Sequence, residues 1–332
     1  MTGLTARSVS TRKPPRRLSR DRLSVLLIAV GCVVLLLGGS ILYPGFLKPG
    51  YILQQLQIAS FLGIIATGAM LVILLGEIDL SVPWTITGTA IVVISASGSS
   101  NPVIASLAIP LGLCLGVAVG LLNAIGVAVF RVPAMVWTLA VNAMLLGAAV
   151  FYTGNSRPNG EVPWLATQAA IGRTFGIPNA FLVWLGVAVI TVWVLKRTVY
   201  GNYLYALGNS RRAVFLAGAP VRLVIVATFV LAGMFSSFGA ILLLGYTNQA
   251  YQGMGDPYLM PVISAVVIGG TSIQGGRGNY IGTFAGAIFI TLLSSILSVM
   301  QMPAAARAVI FGAIILVMLL VHSLTGENED TA

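Results

Sequence analysis

Long apolar runs alternate along this chain with mostly short polar connections. Runs of about 20 apolar residues recur, the length needed to cross roughly 30 Å of hydrocarbon. Ten spans are predicted, at about 23–43, 53–75, 82–98, 103–129, 133–152, 179–195, 223–245, 259–273, 280–300 and 305–323. The third and eighth are short and interrupted by Gly and Pro, which predicts broken or re-entrant segments. The expected fold class is therefore all-α, a polytopic membrane protein of about ten transmembrane helices. One connection departs from the pattern. Residues 196–222, KRTVYGNYLYALGNSRRAVFLAGAPVR, form a basic, partly amphipathic loop between two apolar runs.

Composition agrees with the pattern. Of 332 residues 58% are hydrophobic and 8% charged, against about 25% charged in a soluble domain. The net charge of +10 raises the question of nucleic acid, but its distribution answers it. With the N-terminus inside and ten spans, 14 of the 18 basic residues fall in cytoplasmic segments, among them Arg131, Lys196, Arg197, Arg211, Arg212, Arg222 and Arg277. Lys48, Arg157, Arg173 and Arg307 fall outside. This is the positive-inside arrangement, with both termini cytoplasmic and the membrane, not nucleic acid, as the partner. Residues 1–22 read as a basic disordered tail and 324–332 as a short cytoplasmic tail. Residues 23–43 are longer than a secretory h-region and read as a retained first span. Cys32 and Cys114 fall inside spans and read as small buried apolar residues.

Several chemistries find no residues. The chain has no phosphate-loop motif and no G-x-S-x-G. Its single histidine, His322, ends the last span, an interfacial position. No catalytic, cofactor or metal site is expected, so any energised work would draw on another chain or on an ion gradient.

Two acidic residues stand in apolar surroundings, Glu77 and Asp79 in LLGEIDLSVPW. A charge at the bilayer centre costs about 2.5–3.5 kcal/mol on insertion scales, so such groups line a cavity, pair, or sit near a helix end. Gly76 and Pro83 bracket a helix break, and Asp79 and Ser81 could cap the helix starting near Val82. Capping and facing a translocation path are compatible, and both readings stay open. Two residues apart, Glu77 and Asp79 would point to opposite sides of a regular helix, which argues against a paired proton site unless the backbone is unwound. Other path candidates are Gln57, sharing a face with Gln54, then Asn123, and Thr138 with Asn142, four apart. Each could instead bond between helices. Trp137 could stack on a sugar or simply pack. Trp164, Trp184 and Tyr246 read as interface anchors.

A second Gly-rich break, VVIGGTSIQGGRGNYIG, begins at Val266, and Gly282 and Gly286 follow it. Gly112, Gly116 and Gly120 make a packing stripe on span four. A likeness between residues 76–81 and 270–275 hints at an internal repeat. Two outer connections, 153–178 with Glu161 and 247–258 with Asp256, could dock a soluble protein.

At this point the residues carry a resemblance. GEIDLS at 76–81, VPAMVWTLA at 132–140, YGNYLYALGNSRRAVFLAG at 200–218 and VIGGTSIQGGRG at 267–278 together resemble bacterial ABC-importer permeases of the ribose/xylose/arabinose type. The resemblance covers nearly the whole chain beyond the basic tail, so residues 23–323 read as a permease domain. It implies a homodimer of ten-span subunits in the inner membrane, a cytoplasmic ATP-binding subunit, and a periplasmic or extracellular solute-binding protein. It implies import of a monosaccharide or sugar-like solute by alternating access. Residues Gly208, Asn209, Ser210, Arg211, Arg212, Ala213 and Gly218 then form the coupling region, with a short helix over about 210–217 and Asn209, Arg211 and Arg212 facing the ATPase. A basic helix start opposes the helix dipole, which an acidic partner surface or anionic lipid would offset. Glu77 departs from the Gly of many relatives and VPWT at 82–85 from a VGS-type continuation, which leaves the cargo open. An ion-coupled transporter using Asp79 or Glu77, and a branched-chain amino-acid ABC permease, are the alternatives.

Overall fold

The computed structural model describes residues 20–326 except 155, 157 and 159. Residues 1–19, Arg157, residues 327–332 and the side chain of His322 lie outside the described residues, and with them most of both predicted tails.

Fourteen helices are described, with one two-residue hairpin. They are α1 (Arg20–Leu42), α2 (Pro49–Leu74), α3 (Val82–Ser97), α4 (Pro102–Ser106), α5 (Ala108–Ala124), α6 (Ala134–Thr153), α7 (Trp164–Ile171), α8 (Asn179–Arg197), α9 (Val199–Asn209), α10 (Arg211–Leu216), α11 (Val221–Thr247), α12 (Leu259–Ile268), α13 (Tyr280–Val299) and α14 (Ala304–Gly326). The hairpin pairs Arg173–Thr174 with Ile177–Pro178, just before α8. The helix starts follow local chemistry. Pro49, Pro83 and Pro102 occupy first-turn positions that need no amide hydrogen, and Asn101, Thr198, Ser210 and Asn279 accept a bond from a first-turn amide.

Seven described helices are long and apolar enough to cross a membrane: α1, α2, α5 with its continuation to Val129, α6, α8, α11 and α13. Shorter apolar helices at Val82–Ser97, Asp256–Ile268 and Ala304–Met318 coincide with the other three predicted spans. The protein is an all-α, polytopic membrane protein.

Helix α2 is apolar all round, and such a helix belongs at the centre. It is 89% buried over its apolar window and is surrounded by α8, α11, α12 and α13. Lipid offers no hydrophobic drive for helices to associate, so close backbone approach must supply the contact. The α5 stripe does this against α11. A Cβ on Gly120 would meet the backbone of Phe229 and Val230, and one on Gly116 would meet Ser237 and the Gly233 carbonyl. Thr89 Oγ1 and Ser237 Oγ, 2.7 Å apart, tie α3 to the same contact. Gly116→Leu is expected to lower the thermal unfolding midpoint in detergent by wedging α5 from α11, since overpacking costs about 1–3 kcal/mol or more. An unchanged midpoint would remove this contact from the fold's support.

Two expectations are corrected. Trp184 is no interface anchor: it is fully buried, stacked on Phe284 at 3.9 Å between centroids. Gly63 on α2 leaves the space its indole fills, a pairing that only the tertiary fold reveals. Cys114 is exposed on the flank of α5, where an apolar thiol suits lipid as well as a core, and Cys32 is half-buried against the cluster of Phe46, Leu292 and Ile296; both are free thiols. Trp164 does stand exposed.

Candidate functional site

Helices α2 and α12 end in the same way. Beyond α2 the amide of Gly76 reaches the Ile73 carbonyl at 2.8 Å and that of Glu77 reaches Val72 at 3.2 Å. Beyond α12 the amide of Gly270 reaches Val267 at 2.9 Å and that of Thr271 reaches Val266 at 3.2 Å. Gly76 and Gly270 have φ of +77° and +86°. This paired bonding is the Schellman motif, which favours Gly at the left-handed position. The likeness between residues 76–81 and 270–275 thus has a shared backbone geometry at its first two positions, Gly76–Glu77 and Gly270–Thr271. The two breaks also touch, since the Gly276 amide donates to the Leu74 carbonyl at 2.9 Å.

The basic connection seats on this junction. Residues 196–222 are helical for most of their length, not a loop, because Thr198 caps α9 and Leu204 and Leu207 bury one of its faces. Tyr200 Oη lies 2.8 Å from Thr228 Oγ1 on α11. The Asn209 amide donates to the Tyr205 carbonyl at 2.8 Å and to Gly276 at 3.2 Å, while Tyr205 Oη donates to Gly278 at 2.9 Å. Gly208 lies where a side chain would strike the Leu74 carbonyl and the Gly276 amide. Ser210 caps α10 through the Ala213 amide at 3.3 Å, and Gly218, at φ +78°, follows its end, as the sequence predicts.

Arg211 forms an ion pair with Glu77 of the first break. The pairing places Glu77 at the α9–α10 junction, apart from the other path candidates, while Arg211 stays 41% exposed at the start of α10. The anion that offsets a basic helix start is supplied by the chain itself. Beside the part-exposed Arg211, α10 presents Arg212, Ala213, Phe215 and Leu216 outward; Phe215 is 70% and Leu216 76% exposed.

Five path candidates gather above the break. Asp79 Oδ1 accepts from the Ser81 amide at 2.8 Å and from Ser81 Oγ at 2.6 Å. Asn123 donates to Ser81 Oγ at 2.8 Å, with a long contact of 3.5 Å to Asp79. Thr138 Oγ1 accepts from the Leu80 amide at 2.9 Å, and Asn142 Oδ1 lies 3.4 Å from the Trp84 amide. Unwound backbone inside a membrane needs such partners, because no water is there to provide them. Helix α3 does begin at Val82, but the Ser81 side chain does not cap it; its proton goes to Asp79, and Asn142 of α6 serves the first turn instead. Glu77 and Asp79 therefore diverge from an unwound segment, one toward α10 and one into this cluster.

Gln57 stands apart, near the other end of α2, about 25 Å from the break by helix rise. It donates to the Ala170 carbonyl of α7 at 2.8 Å. Gln54, its predicted companion, is exposed, and the buried neighbour is Gln55. Trp137 donates to the Leu122 carbonyl at 3.0 Å and packs over Gly126 and Phe130. The connections 153–178 and 247–258 meet where Gln252 donates to Thr153 Oγ1 at 2.6 Å and to the Gly154 carbonyl at 2.9 Å.

Residues 51–319, which hold the junction and the polar cluster, match the family model for the branched-chain amino acid transport system / permease component. The chain belongs to this family. Ribose import permease protein RbsC of Escherichia coli (strain K12) is 32% identical over 299 residues, 89% of this chain and 92% of its own length. The RbsC of Bacillus subtilis (strain 168) is 32% identical over 294 residues, 88% and 90% of the two chains. Autoinducer 2 import system permease protein LsrD of Escherichia coli O9:H4 (strain HS) is 30% identical over 277 residues, 81% and 82% of the two chains.

In this permease the sequence reading assigned Tyr205 no role, saw in Gly276 only a turn, and passed over Phe215 and Leu216. The first two matter through contacts some 70 residues away along the chain, at Gly278 and Asn209, for which one sequence gives no sign. Phe215 and Leu216 did leave one, two large apolar residues about one turn after the basic pair Arg211–Arg212 in a short helix between Gly208 and Gly218.

Proposed function

We propose that this permease is the membrane subunit of an ATP-driven, binding-protein-dependent importer that carries a sugar or sugar-like solute inward by alternating access. The observation that carries the reading is α10. It is tied inward through Arg211, Asn209 and Gly208, and it offers Arg212, Phe215 and Leu216 outward. An exposed apolar pair beside a cation that forms no ion pair among the described residues, anchored to two helix breaks, suits a lever that a cytoplasmic ATPase grips. On this reading ATP and Mg bind the ATPase and the permease works as a homodimer with both termini cytoplasmic and ten crossings. The joined connections 153–178 and 247–258 receive a loaded solute-binding protein outside. The permease then needs only sparse polar groups, because the binding protein supplies affinity. Asp79, Ser81, Asn123, Thr138 and Asn142 are positioned to line or brace the path.

Phe215→Asp with Leu216→Asp is the direct test. Co-purification of the ATPase is expected to fall by about tenfold or more, as for loss of a buried interface anchor. Undiminished association together with undiminished ATP hydrolysis would remove α10 from the coupling role. Cargo is tested separately, by uptake of labelled ribose and leucine into vesicles holding the complex and its binding protein. Ribose uptake agrees with the relatives named for ribose import. Uptake of leucine alone would shift the cargo to branched-chain amino acids, the class in the family's description.

A further inference from the structure

Helices α8 and α13 leave an open groove of about 500 Å³ on the outer flank of the bundle. Its floor is fixed. Phe284 stacks on Trp184, the Trp184 indole N–H lies 3.3 Å from Tyr280 Oη, and that hydroxyl lies 2.7 Å from Thr67 Oγ1. The Tyr280 hydroxyl is thereby occupied, and the groove sees only apolar surface: the aromatic floor, with Val189 and Val192 on one wall and Ile281 on the other. One end differs. Lys196 and Arg197, both exposed, close the groove in the last turn of α8, and neither forms an ion pair among the described residues. Trp193, 60% exposed, stands one turn before them.

We infer that this groove binds an anionic phospholipid, with an acyl chain along α8 and α13 and the phosphodiester at Lys196 and Arg197. An apolar slot on a membrane-facing flank is filled by hydrocarbon whatever the lipid. The selectivity comes from the rim. Two adjacent cations at the headgroup level attract a headgroup of net negative charge more than a zwitterionic one. An indole beside them suits the same boundary. A lysine and an arginine can hold separate phosphate oxygens, the arginine with its planar fork. Because only the extended Thr198 separates α8 from α9, the bound headgroup sits next to the segment that seats on the two breaks. The inference requires only the membrane setting and is independent of the cargo and of the ATPase.

The test is native mass spectrometry of the full-length protein, purified in mild detergent and exposed to mixed micelles of phosphatidylglycerol and phosphatidylcholine. The wild-type protein is expected to retain phosphatidylglycerol in preference. Lys196→Gln with Arg197→Gln should lower phosphatidylglycerol retention by about tenfold and leave phosphatidylcholine retention unchanged. Val189→Trp, which fills the groove from an exposed position, should lower retention of both lipids and keeps the test open should the double variant fail to fold. Equal retention of the two lipids by the wild type, or phosphatidylglycerol retention unaffected by either change, would overturn the site. So would efficient disulfide crosslinking between copies through Val189→Cys in a Cys32→Ser, Cys114→Ser background, since a second copy of the chain would then cover the groove.

Discussion

Replacing Gly208 by valine is expected to disconnect the α9–α10 segment from the helix breaks and to abolish coupled ATP hydrolysis, while the rest of the bundle stays folded. The reason is spatial. The position a Cβ would take at residue 208 is occupied by the Leu74 carbonyl and the Gly276 amide, which are backbone and cannot rotate aside. Those two groups are themselves hydrogen-bonded at 2.9 Å. Valine must either part them or push α9 outward. Parting them strands two polar groups at about 1–3 kcal/mol each. Pushing α9 outward breaks the Asn209 bond to Gly276 and draws Arg211 from Glu77. Gly208→Ala should act in the same direction and more weakly. The measurement is ATP hydrolysis by the reconstituted complex, alongside the thermal midpoint of the permease alone. Wild-type hydrolysis in the valine variant would show that the junction plays no part in coupling. Gly276→Ala should reproduce the defect, because its backbone holds φ +71° and a Cβ there would press on the Asn209 side chain at 2.6 Å.

The junction also marks the limit of what one sequence discloses. Spans were legible because a membrane imposes a length on every apolar run. The breaks were legible because Gly76 with Pro83, and the clustered glycines from Gly269 to Gly278, interrupt such runs, and the short helix near 210–217 because the family resemblance marks it between Gly208 and Gly218. Partners were not legible. Glu77 and Arg211 are 134 positions apart, and nothing local distinguishes an acidic residue facing a path from one facing a coupling helix. Trp184 looked like a boundary residue because it lies early in its span; its burial depends on Gly63, in another helix. Gln57 and Gln54 share a helical face by spacing, yet α7 folds over only one of them. Helical α9 was hidden by glycine and asparagine, which weaken local propensity and are outweighed by the burial of Leu204 and Leu207.

Glu77→Lys is expected to reduce coupled ATP hydrolysis by about tenfold, and Glu77→Lys combined with Arg211→Glu to recover most of it. The pair is only partly buried, with side chains 19% and 41% exposed, so as a stabilising contact it contributes little, about 0.2–1 kcal/mol at such exposure. The melting temperature should therefore move by no more than a few degrees in any of these variants. Function should move much further, because of where the pair sits. Glu77 is two residues from Asp79 along an unwound backbone, and Asp79 holds Ser81, which Asn123 of α5 also holds. Between them the Leu80 amide is fixed to Thr138 of α6. In the proposed coupling role, a displacement of α10 would pass through Arg211 and Glu77 into the segment that orients α3 against α5 and α6. Reversing the sign of Glu77 replaces that pull by repulsion; reversing both restores it with the charges exchanged. A hydrogen-bonding but uncharged residue, as in Glu77→Gln, should give an intermediate loss. Wild-type hydrolysis should decline with added salt, since a partly exposed pair is screened, and the Gln variant should lose that dependence. If the double reversal is no better than the single one, the ion pair is a passive surface contact, and the path from α10 to Asp79 must run through the Gly276 backbone alone.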